Sequence, residues 1–311
     1  MDYLRYSDTF RSAWNGFVEI SKNGYFPFHR DYLDYHSDRF QDNSLVVLGQ
    51  DGALCAILPA HRIGNQLISH NGLTYGGFVT DRRMTTVQMK ELFDGLLVHC
   101  REHNIHELIY KPVPHIYHIL PAEEDLYALH CVGAQLVNRK VTSVISGPNR
   151  IPLAHRRKRG IKAAQKAHLS LKLSDNLAEY WTLLHEVLET RHRARPVHTL
   201  AEMEHLRQHF GNQIKLYGCW AETMIAGVLI YENQRVARAQ YIASNAEGRR
   251  VGALDLLFNY LLEEIYPEKP FFELGTSYNP EDASLNEGLI TFKEEWGGRA
   301  VVSDTYAIPC M

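Results

Sequence analysis

Arg235-Val236-Ala237-Arg238-Ala239-Gln240-Tyr241-Ile242-Ala243-Ser244-Asn245-Ala246-Glu247-Gly248-Arg249-Arg250-Val251-Gly252-Ala253 is the stretch on which the fold turns. Arg235 to Ser244 alternates and is rich in strand-compatible residues, Val236, Ala237, Ala239, Tyr241 and Ile242 among them. Asn245 to Ala253 reads as a basic turn bracketed by glycines. From Val251 onward Leu254, Leu257, Phe258, Leu261, Leu262 and Ile265 recur at helical spacing. A strand that turns into a helix N-terminus is a place to hold an anion. Amides without intrahelical partners point outward, the helix dipole favours negative charge, and glycine lets a phosphate come close. Arg249 and Arg250 add donors suited to phosphate. The stretch predicts a phosphate-bearing substrate or cofactor.

Working outward, the chain has 311 residues, enough for two ordinary domains, with 45% hydrophobic and 22% charged residues. A net charge of −3 gives no global attraction to nucleic acid. The charge is uneven, however. No acid lies between Asp125 and Asp175, where Arg139, Lys140, Arg150, Arg156, Arg157, Lys158, Arg159, Lys162, Lys166 and Lys172 all fall. That stretch suits either a solvated face or an anionic partner: phosphates, tRNA or acidic lipid. Five scattered cysteines, an odd number without ligand spacing, suggest a reducing compartment. With no leader-like N-terminus and no apolar run near the ~20 residues a bilayer requires, a cytoplasmic location is expected. His115/His118 and His205/His209 lack a third ligand in any metal pattern, so no metal is expected.

Ser146-Gly147-Pro148-Asn149-Arg150-Ile151-Pro152 is the clearest break. The order of elements looks alike on either side of it, which predicts domains at 1–148 and 149–311. In the second half a strand at 170–173 leads to a helix capped by Asp175, and a second helix opens with the Thr199/Glu202 capping box. Strands follow at 214–220, 225–232 and 236–244, then a helix, a strand at 271–274, a helix at 286–296 and a last strand. The first half shows an early helix, strands at 44–48, 53–61, 67–70 and 73–79, a long helix from Met84, a strand at 107–111 and a short helix before a strand pair. The expected class is α/β (α+β): two tandem units, each a mixed, mostly antiparallel sheet flanked by helices.

This order resembles the GNAT acyltransferase superfamily, and two such units with a basic helix between them resemble the Fem-type aminoacyltransferases. His155-Arg156-Arg157-Lys158-Arg159-Gly160-Ile161-Lys162-Ala163-Ala164-Gln165-Lys166-Ala167 is similar to the Fem Arg-rich helix. Phe292-Lys293-Glu294-Glu295-Trp296-Gly297-Gly298 is similar to the Fem Phe-Lys-x-x-Phe-Gly run. The chain also looks like GNAT-like proteins found with bacterial surface-polysaccharide genes, through Tyr32 to Phe40, Gly72 to Gly77 and Leu285 to Leu289. The resemblance implies transfer of an acyl group from acetyl-coenzyme A or another acyl-coenzyme A to an amine of an amino-sugar, nucleotide-sugar or cell-envelope precursor. The alternatives that it implies are an aminoacyl-tRNA donor, or a catalytically silent binding protein in polysaccharide assembly. The GNAT signature Arg/Gln-x-x-Gly-x-Gly/Ala is matched at Arg249 and Gly252 but not at Leu254, which keeps the tRNA donor open. Arg156, Arg157, Lys158 and Arg159 are the candidate tRNA contacts, with peripheral membrane contact as another use of the basic stretch.

Acyl transfer to an amine requires a neutral amine, a stabilised oxyanion and a proton for the leaving group. The resemblance places the donor on Gln240, Tyr241, Ile242, Gly248, Arg249, Arg250, Val251, Gly252, Ala253, Asn286 and Lys293, with strand amides at 240–242 for the oxyanion. Glu273, ending a strand, and Glu287, opening a helix, are candidate bases. Tyr278, or else Tyr241, is the candidate acid. On the acceptor side, Tyr75 sits in a glycine-flanked strand, where missing side chains leave room. Lys111, His115 and Tyr117 follow a strand directly, and His36 lies amid Asp34, Asp38 and Arg39. Lys22 is similar in place to a substrate lysine of the Fem enzymes.

Overall fold

The computed structural model of the chain describes residues 1–279 and 282–310. It divides into two compact units, Met1–Lys140 with the residues from Val302 on, and Val141–Val301. The first boundary precedes the Ser146–Pro152 break. The last strand enters the first unit from Val302, where the sequence pattern had kept it with the second half.

The first unit opens with β1 (Asp2–Arg5), α1 (Arg11–Ile20) and the single turn α2 (Arg30–Leu33). Strands β2 (Leu45–Leu48), β3 (Leu54–Leu58), β4 (His61–Ile63), β5 (Gln66–Ile68) and β6 (Val79–Thr80) follow, then α3 (Thr86–Glu102), β7 (Glu107–Tyr110) and α4 (Glu124–Cys131). A four-stranded sheet runs β1-β2-β3-β6. Thr85 and Gln88 cap α3 reciprocally. Met89, Leu92, Phe93, Leu96 and Cys100 on one face of α3 join a core with Leu45, Val47, Ala56 and Leu58. The strand expected over 73–79 is not formed before Val79. Gly76 presses against Ser69, where a Cβ would lie 2.3 Å from its carbonyl oxygen, and Gly77 sits at φ +78°. The glycines turn the chain where alternation alone predicts extension.

β8 (Gln135–Ser146) leads into the second unit. There α5 (His155–Gln165), β9 (Ser170–Ser174), α6 (Leu177–His192), α7 (Leu200–Phe210), β10 (Ile214–Trp220), β11 (Met224–Glu232) and β12 (Val236–Ser244) follow in turn. Then come α8 (Ala246–Val251), α9 (Ala253–Tyr260), β13 (Phe271–Thr276), α10 (Glu287–Glu294) and β14 (Arg299–Pro309). The strand order is β8-β13-β12-β11-β10-β9. β9 to β12 form an antiparallel meander, β13 joins β12 in parallel, and β8 returns antiparallel to β13. Asn176, not Asp175, caps α6 by accepting the Glu179 amide, whereas the Thr199/Glu202 box caps α7 as read from sequence. Leu257, Phe258 and Leu261 pack on Val228, Ile230, Ala237 and Ala239. Gly227 on β11 leaves room for Tyr180 of α6, since a Cβ there would lie 2.6 Å from the ring. Among the described residues no helix is long and apolar enough to cross a membrane.

The helix expected from Val251 is two helices. Gly252, at φ +78°, ends α8 and opens α9, and a π-helical turn, Leu261–Ile265, closes the run. Only glycine takes that left-handed conformation without steric cost, so the residue read as a phosphate-loop glycine is also a helix break.

Candidate active site

β12 and β13 form a fork. Their parallel ladder holds at Val236↔Phe271, Ala237↔Phe272 and Arg238↔Glu273 and ends there. β12 continues to Ser244 on β11 alone, and β13 next pairs with β8 at Thr276↔Thr142. Just beyond the fork Leu229 faces Tyr241 while Ile230 faces Ala239. β12 therefore carries one extra residue, Gln240, as a bulge, a device that redirects backbone amides beside active sites.

A buried charge cluster sits at the fork. Glu273 is 0% exposed and accepts from Thr142 Oγ1 at 2.8 Å, with Arg238 Nε 3.9 Å away. Lys293, also buried, reaches from α10 and donates through Nζ to the carbonyls of Gly275 at 2.8 Å and Thr276 at 2.6 Å. A buried carboxylate is tolerated only among opposite charges. Burial lowers the Lys293 pKa to about 8, partly opposed by the charge of Glu273. With Lys293 protonated, two cations face one carboxylate and the fork carries a positive excess. Glu273 thus has its oxygens inside the protein, committed to Thr142 and to the cations.

The turn that follows is filled by the protein itself. The Gly248 amide donates to Asn245 Oδ1 at 2.9 Å, and Arg249 Nη1 donates to the Ser244 carbonyl at 2.6 Å. Arg250 projects outward, 3.7 Å from Glu247. α5 seats on Gly252, where a Cβ would lie 2.9 Å from the Gly160 carbonyl oxygen and 3.6 Å from Ala164 Cβ. Asp255, in the first turn of α9, meets Arg157 Nη1 at 2.5 Å. Arg157 Nε donates to Glu295 at 2.9 Å, and its guanidinium lies 4.9 Å from the Phe292 ring centre. Of the four cations read as tRNA contacts, Arg157 is thus buried. Arg156, Lys158 and Arg159 are exposed with Lys162 and Lys166.

Among the remaining candidates in this unit, Asn286 caps α10 through the Leu289 amide, Glu287 is exposed at its first position, and Tyr278 bridges to Leu285. Tyr241, beyond the fork, places its hydroxyl 2.6 Å from Nδ1 of His198, and Trp181 meets its ring edge-on.

In the first unit Lys111 Nζ donates to the carbonyls of His70 at 2.8 Å and Leu73 at 3.1 Å, and burial lowers its pKa to about 8. His36 stacks on His70 at 5.0 Å, so His70 joins these two sequence candidates. Tyr75 and Tyr117 meet at 5.3 Å. Lys22 pairs with Glu124 at 2.6 Å, and His115 is exposed.

Thr142, Arg238, His198, Asp255 and His70 escaped the sequence reading. Arg238 sits in the quoted stretch beside Gln240 and was the most findable. A charged residue in a strand of alanines needs a buried partner. The others depend on contacts between distant segments.

With this geometry in hand, comparison with known proteins settles the architecture. No protein-family model matches the chain, and no curated protein matches it in sequence. Solved structures do. FemX superposes at a TM-score of 0.68 with 12% identity, covering 99% of this chain and 97% of its own. L-PGS from Bacillus licheniformis superposes at 0.64 with 12% identity, covering 98% and 93%. A tandem GNAT protein from the clavulanic acid biosynthesis pathway, solved without AcCoA, superposes at 0.51 with 13% identity, covering 100% and 98%. The chain has a GNAT-like, Fem-type fold of two tandem units.

Proposed function

We propose that this chain is an acyltransferase that joins an activated acyl group to an amine of a sugar or cell-envelope precursor in the bacterial cytoplasm. The observation that carries the reading is the β12/β13 fork, with the Gln240 bulge on one arm and a positively biased cluster of Arg238, Glu273 and Lys293 at its base. Strand amides at 240–242 serve the tetrahedral oxyanion, and preorganised donors in a site shielded from water act more strongly than in solution. Glu273 has the role of holding Arg238 and Lys293 charged in place rather than of taking the amine proton.

For the donor, the geometry supports an aminoacyl ester on tRNA over coenzyme A. A diphosphate at the start of α9 would have to displace α5 from Gly252 and meet the Asp255 carboxylate. The outward face of α5 offers Arg156, Lys158, Arg159, Lys162 and Lys166 to a polyanion. FemX and L-PGS are among the structural neighbours, in keeping with this choice. Acyl-coenzyme A remains the second reading, supported by the tandem GNAT neighbour whose structure was solved without AcCoA.

A thermal-shift panel of acetyl-coenzyme A, free coenzyme A, alanyl-tRNA and UDP-N-acetylglucosamine separates the two, because a ligand bound to the native state raises the melting temperature. Stabilisation by alanyl-tRNA that fades with salt, with no response to coenzyme A, supports the tRNA donor. The reverse pattern establishes the coenzyme A reading. No response to any donor overturns both.

A further inference from the structure

We propose that Tyr241 carries the proton of the attacking amine and that His198 is the positioning residue behind it. The two are joined as a relay reached only through the phenol. The inference rests on the acyl-transfer reading above.

The placement is specific. Tyr241 lies on the arm of β12 that has left β13, three residues past the last pair Arg238↔Glu273 and next to the Gln240 bulge. Its hydroxyl is 2.6 Å from His198 Nδ1, and the His198 backbone N–H donates to the same oxygen at 3.3 Å. The backbone bond occupies one lone pair of the phenol, and the relay uses the tautomer in which the hydroxyl donates to Nδ1 and the imidazole accepts. His198 is 5% exposed, whereas Tyr241 keeps accessible surface. In the relay the substrate meets Tyr241, the more exposed of the two residues, and reaches the imidazole only through it. Trp181 of α6 holds both, edge-on to the Tyr241 ring and donating from Nε1 to the His198 carbonyl at 3.3 Å. The charged and titratable groups around the pair are Glu202 from α7, Tyr180 from α6 and Arg238 from β12 itself. Burial raises the Tyr241 pKa to about 12, so the phenol keeps its proton through the neutral range and passes protons rather than storing one.

The step balances. The amine nitrogen forms a bond to the acyl carbon, and its departing proton goes to Tyr241 Oη as the phenol's own proton moves to His198 Nδ1. As the tetrahedral intermediate collapses, the bond from the acyl carbon to the donor's leaving atom breaks. The imidazolium then returns a proton through the same hydroxyl to that leaving atom. Phenol and imidazole end as they began, and the products are an amide and a free hydroxyl or thiol.

The test is single-turnover transfer from [14C]alanyl-tRNA and from [14C]acetyl-coenzyme A to glucosamine, over pH 5 to 9. The proteins are wild type, His198→Asn, Tyr241→Phe and the double variant, each checked for an unchanged melting profile. His198→Gln serves in place of any His198→Asn protein that fails to fold. General acid–base help is typically worth about 100-fold or more. The relay predicts a loss of about that size in either single variant, no further loss in the double variant, and disappearance of the acid limb of the rate profile when His198 is replaced. A purely structural His198 would leave that limb in place. Wild-type transfer with an unchanged acid limb in His198→Asn, or additive losses in the double variant, overturns the relay and leaves the acyltransferase reading standing. No wild-type transfer from either donor overturns the acyltransferase reading and the relay with it.

Discussion

Gly160 of α5 and Gly252 at the start of α9 meet backbone to backbone, with a Cβ on Gly252 placed 2.9 Å from the Gly160 carbonyl oxygen. The contact explains why position 252 is glycine, while a Cβ on Gly160 would collide with the Asp255 carboxylate. It also explains why the α9 N-terminus, which the sequence offers to an anion, faces a helix instead. Gly252→Ala meets both the backbone contact and the left-handed φ of +78°. Overpacking costs about 1–3 kcal/mol and the backbone conformation about 1–2 kcal/mol more. Urea denaturation is expected to show a loss in that range. An alanine variant as stable as wild type would mean α5 is not seated as described.

Arg157 latches the same contact from the other side, between Asp255 and Glu295. Removing one partner of a buried ion cluster leaves uncompensated charge and typically costs about 3–5 kcal/mol. Arg157→Met is expected to lose that much. Arg157→Lys should recover little, because one ammonium does not reproduce the fork that reaches two carboxylates on separate segments. Full recovery by lysine in an equilibrium melt would refute the bidentate account.

The order of elements along the chain and most helices were legible because they are written in local periodicity. The β10–β11–β12 meander and the Thr199/Glu202 cap follow from alternation and capping chemistry within a few residues. The fork was legible only through resemblance, since nothing in Ala239-Gln240-Tyr241 says that pairing with Phe271–Thr276 stops at Arg238. The phosphate turn was only half legible for a physical reason. Glycine marks close approach but does not say of what, and the approach of the Gly160 carbonyl to Gly252 comes from a segment far away in sequence. Glu273 likewise reads as a strand-end acid, and nothing in its own stretch announces that Thr142, far away in sequence, donates to its buried carboxylate.

Lys293 ties α10 to the end of β13 through two carbonyls, so Lys293→Met should lose about 2–3 kcal/mol from the missing charge-assisted bonds. Its pKa falls to about 8 in the fold from an ordinary 10.5. Between those values the unfolded chain binds more protons than the folded one, so this lysine's contribution to stability rises with pH across that window. Lys111 titrates in the same direction, and the difference between wild type and Lys293→Met isolates the one residue. Urea stabilities from pH 7.5 to 9.5 should therefore climb less in the variant. Parallel curves would contradict a buried, proton-losing Lys293.

His61 and His70 carry a liability of the same sign at lower pH in the first unit. Burial, reinforced by His36 and Lys111, lowers His61 to about 4 and His70 to about 2. The unfolded chain takes up protons near 6.5, which the folded unit refuses, so stability present above pH 6.5 is lost as pH falls toward 4. Each group contributes a slope of about 1.4 kcal/mol per pH unit at most. His70→Asn keeps an acceptor for the Gly72 amide and tolerates the left-handed φ of 43°. That variant should flatten the acid side of the stability curve in urea melts between pH 7.5 and 5. An unchanged slope would mean that His70 titrates normally.

The exposed face of α5 supplies the last expectation. Arg156, Lys158, Arg159, Lys162 and Lys166 project to solvent while Arg157, Ile161 and Ala164 face inward, so one stripe of the helix is cationic and its opposite side is core. A polyanion bound there releases counterions, and affinity falls with salt in proportion to the phosphates neutralised. If tRNA lies on this stripe, Lys158→Gln/Arg159→Gln should weaken alanyl-tRNA binding and reduce the slope of log affinity against log salt by about 1–2. The folding stability should stay within about 0.5 kcal/mol, since neither side chain is buried. Filter binding from 50 to 300 mM salt gives both quantities. A slope equal to that of wild type would remove α5 from the tRNA contact and with it the main support for an aminoacyl donor.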